Sequence, residues 1–399
     1  MSRRGEGLRI LVSGMMAGVP GQGGATWAVL QYVLGLRRLG HDVWFVEPVA
    51  AQDVRPAGRP LDRSASAAYF RTVVTEFGID DSCALLDPAT GETVGVPYRR
   101  LRAVARNADV VLDVSGMLSG HELLERAPVR VYLDLDPAFN QLWAEEGIDR
   151  GFGGHTHFAS VGLRLGASDC TAPTFGLEWI PTLPPVVLDR WPVAGLAVHD
   201  AFTTVGNWRA YGSIVRGPVQ YGQKAHSMRE LVELPSRSGE RFLVAFGIHP
   251  DEVRDLEALR RNEWALVDPA AAAGTPDAYR AFVAGSFAEL GVAKSGYVRS
   301  RCGWVSDRSA CYLASGRPVL TQATGFEEVI PTGEGLLAFT DVEDAAAGAG
   351  EIRAQYERHR RAARALAAEL FDSDRVLTRL LERVSGPAVH AGAVAETAR

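Results

Sequence analysis

Apolar positions along the chain follow two rhythms. Residues 9–12 and 43–46 are short uninterrupted runs of mostly branched aliphatic residues, the pattern of strands covered on both faces. Between them Trp27, Leu30 and Leu34 recur at helical spacing, and Gly40 closes that helix. A strand, a helix and a second strand in this order demand a parallel sheet, because a crossover helix returns the chain to the same end. Further buried-strand candidates are 110–112, 131–133 and a segment at His157 and Phe158. Pro181, Pro184, Pro185 and Pro192 then break the pattern. A second series follows at 202–205, 242–246, 265–267, near Val292, 319–320 and 336–339. The expectation is an α/β protein of two facing Rossmann-like domains, 1–190 and 191–385. A proline-rich linker at 180–195 joins them, one long helical stretch runs from Ala345 to about Val384, and 386–399 is a tail.

Composition narrows the function. With 399 residues, 47% apolar and 23% charged, the chain has material for two cores. A net charge of −6 argues against nucleic acid or a membrane surface as partner. The densest basic run, 353–364, is interleaved with Glu and Ala and reads as a solvated helix face. Cys83, Cys170, Cys302 and Cys311 show neither zinc-ligand spacing nor a disulfide framework, which fits reduced thiols in a cytosol. Ser2-Arg3-Arg4 has the look of a twin-arginine signal, but the apolar run at 8–12 is too short for one. No segment approaches the ~18 apolar residues of a membrane span. A cytoplasmic protein is expected, and a homodimer is compatible with the sequence.

The chemistry concentrates in residues 302–339. Ser306 suits an N-cap and Asp307 a first helical turn, and Gly316-Arg317-Pro318 ends the helix. Free N–H groups at a helix start favour a phosphate, and Arg308 adds a forked cation. After the strand at Val319 and Leu320, the loop Thr324-Gly325-Phe326 carries Glu327 and Glu328, carboxylates suited to sugar hydroxyls. The plainer reading is an ordinary α/β turn whose Arg308 pairs with a neighbour.

The succession A-S-G-R-P-V, strand, G-F-E-E-V-I-P, G-E-G-L-L-A-F resembles the donor-binding half of GT-B glycosyltransferases, of the family 1 and 4 type. The match covers 302–339 closely and the rest of the chain in outline. Where many retaining members carry a Glu before this motif the chain has Cys311, so the paired-Glu donor signature is absent. The resemblance implies a GT-B fold, with an acceptor domain first, a donor domain second and a C-terminal helix crossing back. It implies transfer of a sugar from a nucleoside diphosphate such as UDP to a small-molecule acceptor, with no cofactor and no metal. High Ala, Arg and Gly content adds bacterial specialised metabolism as an expectation. The donor-side candidates are Gly23, Gly24, Asn207, Trp208, Lys294, Tyr297, Ser306, Asp307, Arg308, Gly325, Phe326, Glu327 and Glu328.

Other motifs offer rivals. Gly21-Gln22-Gly23 with Glu47 at the end of the second strand suggests a dinucleotide site. However, Thr26 stands where the third glycine belongs, and residues 15–20 separate the motif from Gly14. Four glycines within 18–24 instead resemble the first loop of a GT-B acceptor domain, and Trp27 reads as core. Asp134-Leu135-Asp136 has the form of a metal motif, but Asp136-Pro137 reads better as a helix cap. Asp113, Asp136 and His155 are candidate bases for an acceptor hydroxyl, and His155 with His157 lacks the third ligand that a metal site needs. An NAD-dependent oxidoreductase, a nucleotide-sugar epimerase of the same fold and a non-catalytic binding protein are the alternatives.

Overall fold

The computed structural model describes residues 7–385; the Ser2-Arg3-Arg4 motif and the tail 386–399 lie outside the described residues. The first half of the chain forms strands β1 (Arg9–Ser13), β2 (Asp42–Pro48), β3 (Cys83–Leu86), β4 (Thr93–Gly95), β5 (Val110–Val114), β6 (Val129–Asp134), β7 (His157–Ser160) and β8 (Trp179–Pro181). They make one sheet in the order β4-β3-β2-β1-β5-β6-β7-β8, parallel except for β4 on β3. The second half forms β9 (His199–Asn207), a small antiparallel ribbon of β10 (Ile214–Arg216) and β11 (Val219–Tyr221), then β12 (Phe242–Gly247), β13 (Ala265–Leu266), β14 (Ser286–Gly291), β15 (Val319–Gln322) and β16 (Leu336–Phe339). Its main sheet is wholly parallel, in the order β13-β12-β9-β14-β15-β16. Every residue of β5 and β14 is buried, which is why these strands lack alternation.

In each sheet the strand order runs one way from the first strand and then restarts on its other side. The reversal opens a crevice at the carboxyl ends of β1 and β5, and of β9 and β14. The segment 182–198 separates the two sheets. The halves also touch directly: Gly162 and Trp304 form an antiparallel bridge, and Leu163 N donates to Gly303 O (3.2 Å) and Arg164 N to Cys302 O (3.0 Å). Trp27, buried as expected, donates its indole N–H to Pro276 O at 2.9 Å across the same divide.

The long C-terminal helical stretch is broken into Val342–Ala354, Tyr356–Leu366, a π-helical turn at Ala367–Phe371, and Ser373–Val384. Gln355 leaves helical dihedrals (φ −123°, ψ 38°) and Asp372 is non-helical at ψ 123°. At the second break Val186 N donates to Phe371 O (2.7 Å) and Ser373 N to Val186 O (2.9 Å), tying it to the linker. These breaks let Ser373–Val384 turn back onto the first half. Leu377 lies so close to Gly35 of helix Gly23–Arg38 that a Cβ at Gly35 would stand 2.6 Å from it. The basic run is a solvated face only in part, at Arg358 and Arg361. Arg353 pairs with Glu240 and Asp200 (both 2.6 Å), and Arg364 donates to Trp191 O (2.8 Å) and Ala314 O (2.5 Å). Those partners come from distant segments, which a local charge pattern does not reveal.

Candidate functional site

A cavity of about 180 Å³ lies where the two reversal points face each other. Gly21, Gln22 and Gly24 of the first glycine loop form one wall. The end of β9 (Val205, Gly206, Asn207) and the helix start at Asp307 and Arg308 form the other. The glycines allow close approach. Gly23 has no room for a side chain against Thr275 O, and Gly24 would meet Tyr279 at 3.0 Å. A larger cavity of about 490 Å³, lined by His199, Phe242 and Ala265, sits at the amino ends of β9, β12 and β13. Parallel sheets bind ligands at the opposite, carboxyl ends, so the smaller cavity is the better candidate.

Ser306 caps helix Asp307–Ala314 as its sequence suggests, its Oγ accepting from Arg308 N at 3.2 Å. Arg308 itself is 8% exposed. Its Nε donates to Glu289 Oε1 (2.6 Å) and its Nη1 to Val205 O (2.8 Å). Its Nη2 and Glu289 Oε2 have no partner among the described residues. Arg308 thus pairs with a neighbour, as the plainer reading has it, and one of its donors is buried without a partner in a residue that lines the cavity. Burial pushes the Asp307 carboxyl above its usual range, with Arg308 opposing.

Lys224, which sequence reasoning did not single out, lies behind this wall without lining the cavity. It is buried, lies beneath Gly206, and donates to the carbonyl of Val292 just past β14. A Cβ at Gly206 would stand 3.3 Å from its Cε. Burial lowers its pKa well below that of a free lysine, and the Arg308 charge adds to the effect. The only hint in the sequence was a lysine opening a short helix after a glycine, in Tyr221-Gly222-Gln223-Lys224.

The structure places the remaining candidates elsewhere. Trp208 is core, its indole donating to Asp255 at 2.8 Å. Lys294 reaches back to Asp136 of the first half at 3.1 Å, and Tyr211 and Tyr297 hydroxyls bond the same carboxylate. Asp136 is thus a bolt between halves and not a cap; the adjoining helix Phe139–Glu145 follows Ala138 at φ 68° with no side-chain cap. Asp134 accepts from Asp136 N (3.0 Å), Asn140 (2.7 Å), Gln141 (2.9 Å) and Ser160 (2.9 Å), leaving a metal little to bind. In the acidic loop Glu327 accepts from Gly325 N at 3.0 Å, Phe326 is core, and Glu328 pairs with Arg164 (2.8 Å) and Arg301. Gly325, at φ 98°, packs against Arg164 of the first half. Asp113 and His155 are brought to each other, Oδ2 to Nε2 at 3.1 Å, with neither side chain exposed. Burial raises the Asp113 pKa, and His155 opposes the rise. Among the described residues no cluster of three His, Cys, Asp or Glu side chains could hold a metal ion, and no helix is long and apolar enough to cross a membrane.

No family model matches the chain, and no curated protein matches it in sequence. Solved structures do resemble it in shape. AviGT4, a glycosyltransferase involved in avilamycin A biosynthesis, aligns over 95% of this chain and 97% of its own, with 15% identity and a TM-score of 0.52. Anabaena Alr3699/HepE in complex with UDP and glucose aligns over 95% and 100%, with 12% identity and a TM-score of 0.57. An alpha-glucosyltransferase in complex with UDP-glucose and DNA containing an abasic site aligns over 95% and 99%, with 12% identity and a TM-score of 0.59. The chain has the two-sheet fold of GT-B glycosyltransferases, in a divergent form.

Proposed function

We propose that the protein transfers a sugar from a nucleoside diphosphate to an acceptor. The observation that carries this reading is the unspent Nη2 of Arg308, on a nine-tenths-buried side chain at a cavity wall built from both halves. A buried donor without a partner costs roughly 1–3 kcal/mol, so a fold retains one where a ligand completes it. Beside it stand a capped helix start and the buried Lys224. Arg308, Lys224 in its protonated form, and backbone N–H groups suit a diphosphate, whose charge grows as the glycosidic bond breaks and favours that protonation. Solved neighbours of this fold are complexes with UDP and glucose or with UDP-glucose, which favours UDP for this chain too.

Asn207 and Asp307, both on the cavity wall, are the polar side chains placed to meet donor hydroxyls. The two cations would take the charge-neutralising part that a metal plays elsewhere, so we propose a reaction without metal or cofactor. The acceptor is a small hydroxyl- or amine-bearing molecule, and Asp113 with His155, neither side chain exposed, remains the base proposal. Glu47 weakens the dinucleotide alternative, since its carboxylate is already bonded to protein backbone. The deciding test is a thermal-shift and product-release panel of UDP-, GDP- and dTDP-sugars against NAD. A rise in melting temperature with one diphosphate sugar, and its slow release of nucleoside diphosphate, is expected. Stabilisation by NAD alone would overturn the proposal.

A further inference from the structure

Glu47 closes β2 at the position where a dinucleotide site keeps a carboxylate for a ribose. Here that carboxylate is wholly buried and faces three consecutive backbone donors. Met16 N and Ala17 N donate to Oε2 at 2.9 and 2.7 Å, and Gly18 N to Oε1 at 2.5 Å. Successive N–H groups curled in this way form an anion-binding concavity, and the protein fills it with its own carboxyl group. Gly18 has no room for a side chain, since a Cβ there would stand 2.5 Å from Oε1. Two further bonds hold the first and last of these: Thr26 Oγ1 donates to Met16 O (2.8 Å) and Ser66 Oγ to Gly18 O (3.2 Å). The residues between Gly18 and the helix start at Gln22, whose carbonyl accepts from Thr26 N at 3.0 Å, are more open. Val19 is 46% exposed, Gly21 sits at φ 84°, and Gly21 and Gln22 line the cavity.

The loop therefore has a fixed front and a reaching back, and the back takes its position from the front. We infer that Glu47 is a positioning residue, a buried carboxyl acceptor that sets the glycine loop over the cavity opposite Arg308. The inference rests on the proposed diphosphate site for its functional consequence, but not for its structural one. Glutamine has nearly the same shape but turns an N–H₂ toward at least one of the three backbone donors. Aspartate is one methylene too short to reach all three.

The test uses the full chain as wild type, Glu47→Gln and Glu47→Asp. Hydrogen exchange is followed by mass spectrometry, with UDP as the binding probe. In both variants the amides of residues 14–22 should exchange roughly tenfold faster, while β12, β14 and β15 keep wild-type protection. UDP affinity should fall about tenfold, and donor KM should rise more than kcat falls. Unchanged exchange at 14–22, exchange raised equally through both sheets, or wild-type UDP affinity in a loosened loop would each overturn the role. Should wild-type protein bind no UDP, the diphosphate reading fails while the exchange data still decide whether Glu47 holds the loop.

Discussion

The carboxyl ends of the two sheets are built from opposite charges and finished to different degrees. At the first sheet stand Glu47, Asp113 and Asp134, each wholly buried and each closed by protein donors. Glu47 has three backbone N–H groups, Asp134 four donors, and Asp113 the Leu118 N–H and His155. At the second sheet stand Arg308 and Lys224. There Arg308 Nη2 and Glu289 Oε2 are unpaired, and Lys224 has a carbonyl in place of a carboxylate. Ser13 Oγ and Gln141 Oε1 near the first sheet are unpaired as well, but no buried charge there is among the described residues, and we propose that the unpaired charged atoms mark the ligand side.

The largest effect should come from Arg308→Ala. The buried pair with Glu289 makes this change structural as well as functional. Removing one partner of a buried pair costs roughly 3–5 kcal/mol, measurable by urea denaturation. Pairing the change with Glu289→Gln should recover much of the stability and none of the binding. UDP affinity should stay roughly 10- to 150-fold down. Wild-type UDP binding in that double variant would erase the distinction between the sheets.

Glu47 should show itself next, through pH. Burial pushes its pKa from 4.5 to about 7, opposed by its three N–H donors. Because the folded value lies above the unfolded one, its stabilising contribution is complete below pH 4.5 and is lost as pH rises through 7. The loss is of order 3 kcal/mol. Stability of wild type should fall more between pH 5 and 8 than that of Glu47→Gln, and parallel curves would remove this group from the account.

Asp113→Asn should cost roughly 1–3 kcal/mol of stability, as a buried histidine loses its charged partner, and leave UDP affinity unchanged. A tenfold loss of affinity would place the first sheet's finished carboxylates in the binding site after all. The smallest change is expected from Lys224→Met. A buried ammonium without a carboxylate is a burden to the fold, so stability should hold or rise, while UDP binding weakens about tenfold, near 1.4 kcal/mol. Calorimetry with UDP reads both quantities in one preparation.

The sequence by itself determined what near neighbours decide. Unbroken runs such as 110–112 and 319–320 became fully buried strands, Ser306 capped its helix, and the glycines at 21–24 let two halves approach. Each of these depends on periodicity, capping or dihedral freedom within a few residues. Only the tertiary structure decided which charges meet. Arg308 finds Glu289 on β14, Lys294 finds Asp136 in the other half, Glu328 finds Arg164, and Glu47 closes on Met16, Ala17 and Gly18. The helical stretch 345–384 looked continuous because it is dominated by Ala, Arg and Glu, and its second break falls where Val186 of the linker bonds to it. Pairings of this kind follow from which strand ends the crossovers bring together, a property of topology that no local pattern of residues encodes.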